Sequence, residues 1–165
     1  LSKEEKRNSF FKSLINRLAK ETNVHFNVFV INGNSHFGDL EISKELVANI
    51  DDSRCSIMPY TPNVKEAWDR IAACDLVITT RLHAGIFACY ADVPFMMLEY
   101  HKKCSDFLAD VGQDISYRLY DAEVSVEEIL PKIVEILSGI HKKPSNIAET
   151  IALSERNFTE TIPKL

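Results

Sequence analysis

The chain has 165 residues, a formal net charge of -5, 45% hydrophobic residues and 26% charged residues. This length suits one domain with a sizeable core. The net negative charge and the lack of a basic tract argue against a nucleic-acid partner. No apolar run approaches the ~18 residues that would cross a bilayer. We therefore expect a globular cytoplasmic protein that could also act at the inner face of the membrane.

The first part of the chain alternates helical patterns with short β-branched and aromatic runs. Ser2 and Glu5 form a capping box, in which each side chain satisfies a backbone amide at a helix start. Asp39 is predicted to cap a second helix, and Thr61 with Pro62 to begin a third. The predicted helices cover residues 2–21, 39–50 and 61–72, and the predicted strands cover residues 24–31 and 54–58.

The middle of the chain carries two apolar runs that predict buried parallel strands. The first, residues 76–78, is followed by two threonines and then by Arg81 and His83 at the start of an amphipathic helix. Pro94 ends that helix, and the second strand follows at residues 95–98. The predicted order is therefore strand, tight turn, helix, strand, with a cation and an imidazole at the turn.

The last part of the chain continues the alternation. A helix is predicted over residues 103–111, with Gly112 directly after its end. A short strand at 116–119 and a helix at 125–139 follow. Pro131 lies inside that last helix and predicts a kink or a late start. Pro144 and Ser145 are predicted to open a final helix.

Because strands and helices alternate throughout, the sequence predicts a Rossmann-like three-layer α/β/α fold with a mainly parallel sheet. We expect residues 1–158 to form a single domain and residues 159–165 a tail. The order has one irregularity, since the chain opens on a helix, whereas a doubly wound unit opens on a strand that becomes central. Either the opening strand lies outside this sequence, or the sheet closes differently.

The four cysteines show neither a C-x-x-C pair nor zinc-ligand spacing, which indicates reduced thiols. The five histidines show no metal-ligand spacing either, so we expect no metal site.

The turn at Arg81 and His83 is the candidate site. Ligands bind beyond the carboxyl ends of strands in open α/β sheets, and a helix start favours an anion. Arginine matches a carboxylate or phosphate bidentately. Two other interpretations remain open: Arg81 could pair with Asp75 or Asp39, and His83 could cap a backbone group and orient the turn.

Weaker candidates lie on the neighbouring loops. His36, after the first strand, could line an acceptor side or belong to a plain helix-capping loop. Tyr100 could hold a sugar or be a structural tyrosine. Gly85 indicates a close approach of the helix to a neighbour, which is a packing role.

The run Ala72–Ala88 reads AACDLVITTRLHAGIFA, and Asp92-Val-Pro94 and residues 99–107, EYHKKCSDF, follow it. An apolar strand, R-L-H-A, a short helix, a V-P strand and Y-x-x-K, in this order, resemble the C-terminal half of the polysaccharide pyruvyl transferases. The specific part of the resemblance covers residues 71–112, and a looser part runs from the first helix to about residue 138.

Two positions depart from that family's pattern. Glu99 stands where the family often has a small or neutral residue, which places an acid beside the proposed anion site or offsets local positive charge. His101 and Lys102 replace the commoner Asp-Pro before the family's lysine, which here is Lys103.

The resemblance implies a GT-B-like enzyme of two Rossmann-like domains, of which this chain is the C-terminal one. Such an enzyme moves a pyruvyl group from phosphoenolpyruvate to two hydroxyls of a sugar during cell-surface polysaccharide synthesis, forming a ketal and releasing phosphate. It needs no cofactor. Its partners are phosphoenolpyruvate, a sugar or lipid-linked oligosaccharide acceptor, and the N-terminal domain of the same protein. We expect the isolated domain to be inactive.

The chemistry of the side chains then predicts their roles. We expect Arg81 and His83 to be the catalytic pair, with Arg81 on the carboxylate or phosphate and His83 protonating the methylene carbon or supporting phosphate departure. Lys103 matches the family's lysine, and either it or its neighbour Lys102 is expected to contact the donor phosphate. The full set of predicted substrate-binding residues is Arg81, Lys103, Lys102, Tyr100, Thr80 and His36.

Two other functions compete with this one. A GT-B glycosyltransferase would bind the diphosphate of a nucleotide-sugar in the same crevice. Against it, the sequence has no glycine-rich loop after a strand and no E-x₆-E pair. The second is a non-catalytic scaffold domain of a polysaccharide assembly system, because a fold alone does not decide function.

Overall fold

The computed structural model describes residues 2–34, 36, 38–120 and 125–161. Within these ranges helices and strands alternate, and short 3₁₀ turns precede the second and the fifth strand. The helices are α1 (Lys3–Glu21), α2 (Leu40–Val47), α3 (Val64–Ala72), α4 (Leu82–Tyr90), α5 (Lys102–Asp110), α6 (Val126–Leu137) and α7 (Ile147–Thr161), and the strands are β1 (Phe26–Phe29), β2 (Cys55–Met58), β3 (Val77–Thr79), β4 (Phe95–Glu99) and β5 (Arg118–Tyr120).

Every strand pairing among the described residues is parallel. β1 pairs with β2, and β4 lies between β3 and β5. This confirms the predicted Rossmann-like three-layer α/β/α fold with a parallel sheet. The hydrogen-bonded strands form a pair and a triplet rather than one continuous ladder, because β1 and β3 are not bonded to each other.

β4 is the most deeply buried strand. Its side chains alternate between the two faces, as the pleat of a strand requires. Met96 and Leu98 enter a core cluster formed with α1, α6 and β5, whereas Phe95 and Met97 enter a second cluster formed with α3, α4 and α5. The strand is therefore apolar at every core position, as a parallel strand covered on both faces must be.

The predicted helix boundaries agree with most of the structure, and the exceptions have local causes. The capping box at Ser2 is present in both directions and begins α1. The start predicted for the third helix at Thr61 and Pro62 is wrong. The Asn63 side chain accepts hydrogen bonds from the backbone N–H groups of Lys65 and Glu66, and the helix begins at Val64. Gly112 follows α5 at φ +67°, the left-handed conformation that glycine favours.

Pro131 does not delay α6, which begins at Val126 under a cap from Ser125. The predicted late start is therefore wrong. Pro131 is the sixth residue of α6, so it removes one interior helix hydrogen bond, yet the helix continues to Leu137 and its apolar face packs in the first core cluster.

The four cysteines carry free thiols. Burial raises the pKa of the Cys89 thiol to about 11 and also raises that of Cys104, which suppresses their thiolate forms. In the part of the chain that the structure describes, no helix combines the length and the apolar content that a bilayer crossing needs.

Candidate active site

The turn between β3 and α4 is fixed by one buried hydroxyl. The Thr79 hydroxyl accepts a hydrogen bond from the Arg81 backbone N–H at 2.8 Å and donates to the Arg81 carbonyl at 3.1 Å. That carbonyl also accepts from Ala84 and Gly85, which closes the first turn of α4. No side chain caps the start of α4, so the amides of its first turn face the carboxyl end of the sheet without a side-chain partner.

Gly85 brings α4 close to the sheet. A Cβ at this position would stand 1.9 Å from Cε of Met97 on β4. Met97 is fully buried, so the helix start lies as near to the strand ends as the packing permits. This supports the packing role predicted for Gly85.

Arg81 forms an ion pair with Asp39, one of the alternatives that the sequence left open for this side chain. Asp39 is only 14% exposed, and its second oxygen accepts the Asn32 backbone N–H at 2.9 Å. The Asn32 carbonyl accepts the Asp39 N–H in return. Asp39 therefore anchors the loop after β1 and holds the guanidinium, which is 40% exposed, at the end of β3.

The predicted capping role of Asp39 is wrong in one respect. Asp39 occupies the N-cap position of α2, but its side chain makes no capping hydrogen bond. One of its oxygens pairs with the Arg81 guanidinium, a charge-assisted contact stronger than a cap, and the other accepts the Asn32 backbone N–H, so neither is directed at the amides of α2. The ion pair in turn raises the pKa of Arg81.

Tyr100, at the carboxyl end of β4, contacts residues at the end of β3 and near the start of α1. Its side chain is close enough to Arg81 to raise the pKa of the guanidinium further. On its ring lies the Arg7 guanidinium, whose Cζ is 5.0 Å from the ring centroid. Three segments distant in sequence thus converge at the carboxyl ends of the strands, where ligands of open α/β sheets bind.

The remaining predicted site residues surround this cluster. His83 is exposed in the first turn of α4 and makes no hydrogen bond or ion pair with any residue that the structure describes. Thr80 is half-buried in the turn itself. His36 is exposed on the loop after β1, where its backbone N–H donates to the Asn34 side chain at 2.8 Å.

The two lysines at the start of α5 differ in their surroundings. Lys102 pairs with Asp106 one turn along the helix, with its own side chain 81% exposed. Lys103 has no such partner among the described residues, and its backbone N–H is capped by His101 Nδ1 at 3.2 Å. Lys103 is therefore the lysine whose charge is available at the carboxyl edge, in keeping with the Y-x-x-K spacing.

Glu99 does not offset the charge of the anion site. Its carboxylate, 3% exposed, accepts two hydrogen bonds from Arg118 on β5, at 2.7 and 2.6 Å. This bidentate pair lowers the pKa of Glu99 and ties the ends of β4 and β5 together beneath Tyr100.

Sequence reasoning missed Arg7 and Arg118. Arg7 belongs to the polar face of a helix, and nothing in its neighbours shows that α1 begins beside Tyr100. Arg118 lies on a short strand, where its pairing with Glu99 depends on the register between β4 and β5.

Other polar groupings do not compete with this site. Among the described residues, no three His, Cys, Asp or Glu side chains are grouped as a metal ion would require. An open depression of about 630 Å³ lies away from the turn, and its lining consists of Ser13, Asn16, Arg17, Lys20, Asn49, Val126 and Glu127.

Together the parallel strands, the uncapped helix start and the arginine at the strand ends define a Rossmann-like domain with a candidate anion site. A family model described as polysaccharide pyruvyl transferase matches residues 2–102. The match covers more than half of the chain and includes Arg81, His83 and Tyr100, so the chain belongs to the polysaccharide pyruvyl transferase family. No curated protein matches the chain, and no solved structure matches it.

The pair formed by Glu99 and Arg118 predicts a large stability effect. Arg118→Met should lower the free energy of unfolding by about 3–5 kcal/mol, because it leaves a buried carboxylate without its partner. The measurement is urea denaturation at pH 7. Lys102→Met is the matched control, since its pair with Asp106 is exposed and contributes under about 1 kcal/mol. Equal losses in both variants would contradict the structural role.

The same pair predicts a pH dependence with a definite sign. The pKa of Glu99 is lowered in the folded protein, so the pair stabilises the fold above the unfolded pKa of glutamate, and this contribution is lost as the pH falls through the folded pKa. The deficit of Arg118→Met should therefore begin to shrink below the unfolded pKa of glutamate, about 4.3, and be smallest once the pH has fallen through the lowered folded pKa.

Proposed function

We propose that this domain binds phosphoenolpyruvate at the β3–α4 turn and takes part in transferring its pyruvyl group to two hydroxyls of a sugar. The acceptor belongs to a cell-surface polysaccharide or its lipid-linked precursor. The observation that carries the proposal is the position of Arg81, held by Asp39 beside an uncapped helix start, in a chain of the polysaccharide pyruvyl transferase family.

The donor suits the charges of the site. Phosphoenolpyruvate carries a carboxylate and a phosphate, and both need charged or amide donors. The Arg81 guanidinium has five N–H donors, so one edge can pair with Asp39 while the others remain for an anion. The backbone amides of Leu82 and His83, which the Arg81 carbonyl does not accept, and the ammonium group of Lys103 supply further donors at the same edge.

The transfer can be written with all atoms accounted for. A proton added to the methylene carbon of the donor turns it into a methyl group and leaves the adjacent carbon electron-poor. One sugar hydroxyl attacks that carbon, and its proton restores the acid that protonated the methylene carbon. The second hydroxyl oxygen then displaces the phosphate, which leaves with the remaining proton. Two C–O bonds form, one C–O bond to phosphate breaks, and nothing is oxidised or reduced.

His83 is suited to supply the proton in this scheme. An imidazole changes its charge near neutral pH, which suits proton transfer. His83 is two residues from Arg81, exposed at the edge of the crevice, and has no competing partner among the described residues. A protonated imidazole could add its proton to the methylene carbon or support the departing phosphate.

The rest of the reaction needs a second domain. We assign residues 1–158 to one Rossmann-like domain of a two-domain, GT-B-like enzyme, whose N-terminal domain faces the crevice and holds the acceptor. Thr80, Tyr100 and His36 lie on the loops that border this side and would contact the substrates. The enzyme would act in the cytoplasm, where phosphoenolpyruvate is available, without a cofactor.

Arg81→Ala should weaken phosphoenolpyruvate binding at least tenfold in the complete protein, because a charge-assisted contact contributes about 1.5–3 kcal/mol. The measurement is titration calorimetry, with UDP-sugar and GDP-sugar as comparators. Arg17→Ala, which removes an arginine paired on the outer surface of α1, is the control and should bind like the wild type. Tight binding of a nucleotide-sugar instead would assign the domain to the glycosyltransferases. Binding of none of the three would favour the scaffold function.

The two lysines form a matched pair of variants. Lys103→Ala should weaken phosphoenolpyruvate binding by about five- to tenfold, whereas Lys102→Ala should change it less than twofold, because Lys102 is neutralised by Asp106. The same titration measures both. The reverse order would assign the donor contact to Lys102.

His83→Gln should lower kcat by about 10²–10⁴-fold and leave the Kd for phosphoenolpyruvate nearly unchanged, because an acid that acts only in the reaction adds little to ground-state binding. Phosphate release by the complete enzyme measures kcat. In the wild type kcat should fall as the imidazole loses its proton, and the variant should lose this dependence. His25→Gln is the control, because His25 directly precedes β1 at its amino end and contacts Ser56 there. An unchanged kcat would remove His83 from the mechanism.

A further inference from the structure

In the part of the chain that the structure describes, no hydrogen-bonded ladder joins the two groups of strands. Phe26 on β1 packs in the same core cluster as Ile78 on β3, and Cys74, just before β3, reaches Asn27 on β1. β1 and β3 are therefore lateral neighbours, yet no ladder joins them. We call the interval between these two strands, which no ladder bridges, the central gap.

The backbone of both strands points into the central gap. Val30 donates to Met58 and thus faces β2, so the alternating Asn27 and Phe29 turn their N–H and C=O groups to the opposite side. Val77 likewise donates to Pro94 beside β4, so the backbone of Ile78 faces the gap. Backbone groups in such a position need partners.

Burial shows the same incompleteness. β4 has four buried residues in succession, as a strand in the middle of a covered sheet should. β1, which stands next to the middle of the sheet, has no buried residue, and its Asn27 is exposed. The helices on the two faces of the sheet therefore cover β1 incompletely beside the central gap.

The faces occupied by the helices locate the absent element. α1 and α2 pack against each other on one face, whereas α4 and α5 pack in the core cluster of the other face. A helix that connects two parallel strands makes a right-handed crossover. Helices that cover the same face of a sheet therefore connect strands that succeed each other in the same direction across the sheet. α2 connects β1 to β2, which lies on the outer side of β1. Because α1 covers the same face, the strand that precedes α1 must lie on the inner side of β1, in the central gap.

The start of α1 agrees with this path. Arg7, in the second turn of α1, lies on the ring of Tyr100 at the carboxyl end of β4. The chain therefore enters α1 at the carboxyl edge of the sheet, where a strand parallel to β1 and β3 would end. The capping box at Ser2 marks a sharp start of the helix at that edge.

We propose that the central gap is the docking site of a parallel β-strand formed by the residues immediately upstream of Leu1 in a longer polypeptide. The sheet then has the order β2, β1, inserted strand, β3, β4, β5, the doubly wound order with its first strand in the middle. The turn from the inserted strand into α1 lies beside Arg81 and Tyr100 and completes one wall of the crevice. This inference does not depend on the identity of the donor.

Amide hydrogen exchange tests the proposal in two proteins, this 165-residue chain and the chain extended by its natural upstream residues. In the shorter chain, Asn27, Phe29 and Ile78 should exchange on the order of 100-fold faster than Val28 and Val77, whose amides face β2 and β4. In the extended protein all five should be protected alike. Protection in the shorter chain would mean that β1 and β3 pair directly or, if it rises with concentration, that a second copy fills the gap. Either result, or unprotected gap amides in the extended protein, would overturn the proposal.

A pair of variants of the extended protein gives a second test that does not require the shorter chain to fold. Asn27→Pro removes the amide that faces the gap, whereas Asn27→Ala keeps this amide, and both lose the side-chain contact with Cys74. The proline variant should increase the population of unfolded protein at least tenfold over the alanine variant, because it deletes a ladder hydrogen bond to the inserted strand. Equal stability of the two variants would show that Asn27 has no strand beside it.

Discussion

The burial of β4 on both faces is the constraint on which the rest of the structure depends. Its side chains alternate between two core clusters, so helices must cover both sides, and the ends of β3, β4 and β5 come to one edge. Polar residues that follow these strands therefore gather at that edge without any direct link in sequence. The candidate site is a consequence of this parallel packing.

The electrostatics of the edge are arranged in two levels. Glu99 and Arg118 neutralise each other below the surface and join two strand ends, so they contribute rigidity and no net charge. Above them, Arg81 keeps part of its guanidinium exposed although Asp39 holds it in place, and Lys103 remains without an acidic partner among the described residues. The arrangement leaves positive charge where we propose that the carboxylate and phosphate of the donor bind, in a chain whose net charge is negative.

The local part of this arrangement could be predicted from sequence. The strand–turn–helix around Arg81 was found because an apolar run of strand length is followed by helical spacing, and both signals lie within twenty residues. The family resemblance, carried by R-L-H-A, V-P and Y-x-x-K, was confirmed by the family match. Where local signals competed, the prediction was less accurate: Asp39 has the chemistry of a helix cap, yet a guanidinium forty-two residues away in sequence takes its carboxylate.

The sequence by itself determined the fold class, the turn that carries Arg81 and His83, and the family, because periodicity, turn chemistry and short motifs are properties of neighbouring residues. Tertiary structure decided which charges pair, and it alone placed Arg7 on Tyr100 and Arg118 on Glu99. It also distinguished Lys103 from Lys102 and located the central gap between β1 and β3. These features depend on strand register and on the face to which each helix is assigned. Both are set by the packing of segments far apart in the chain.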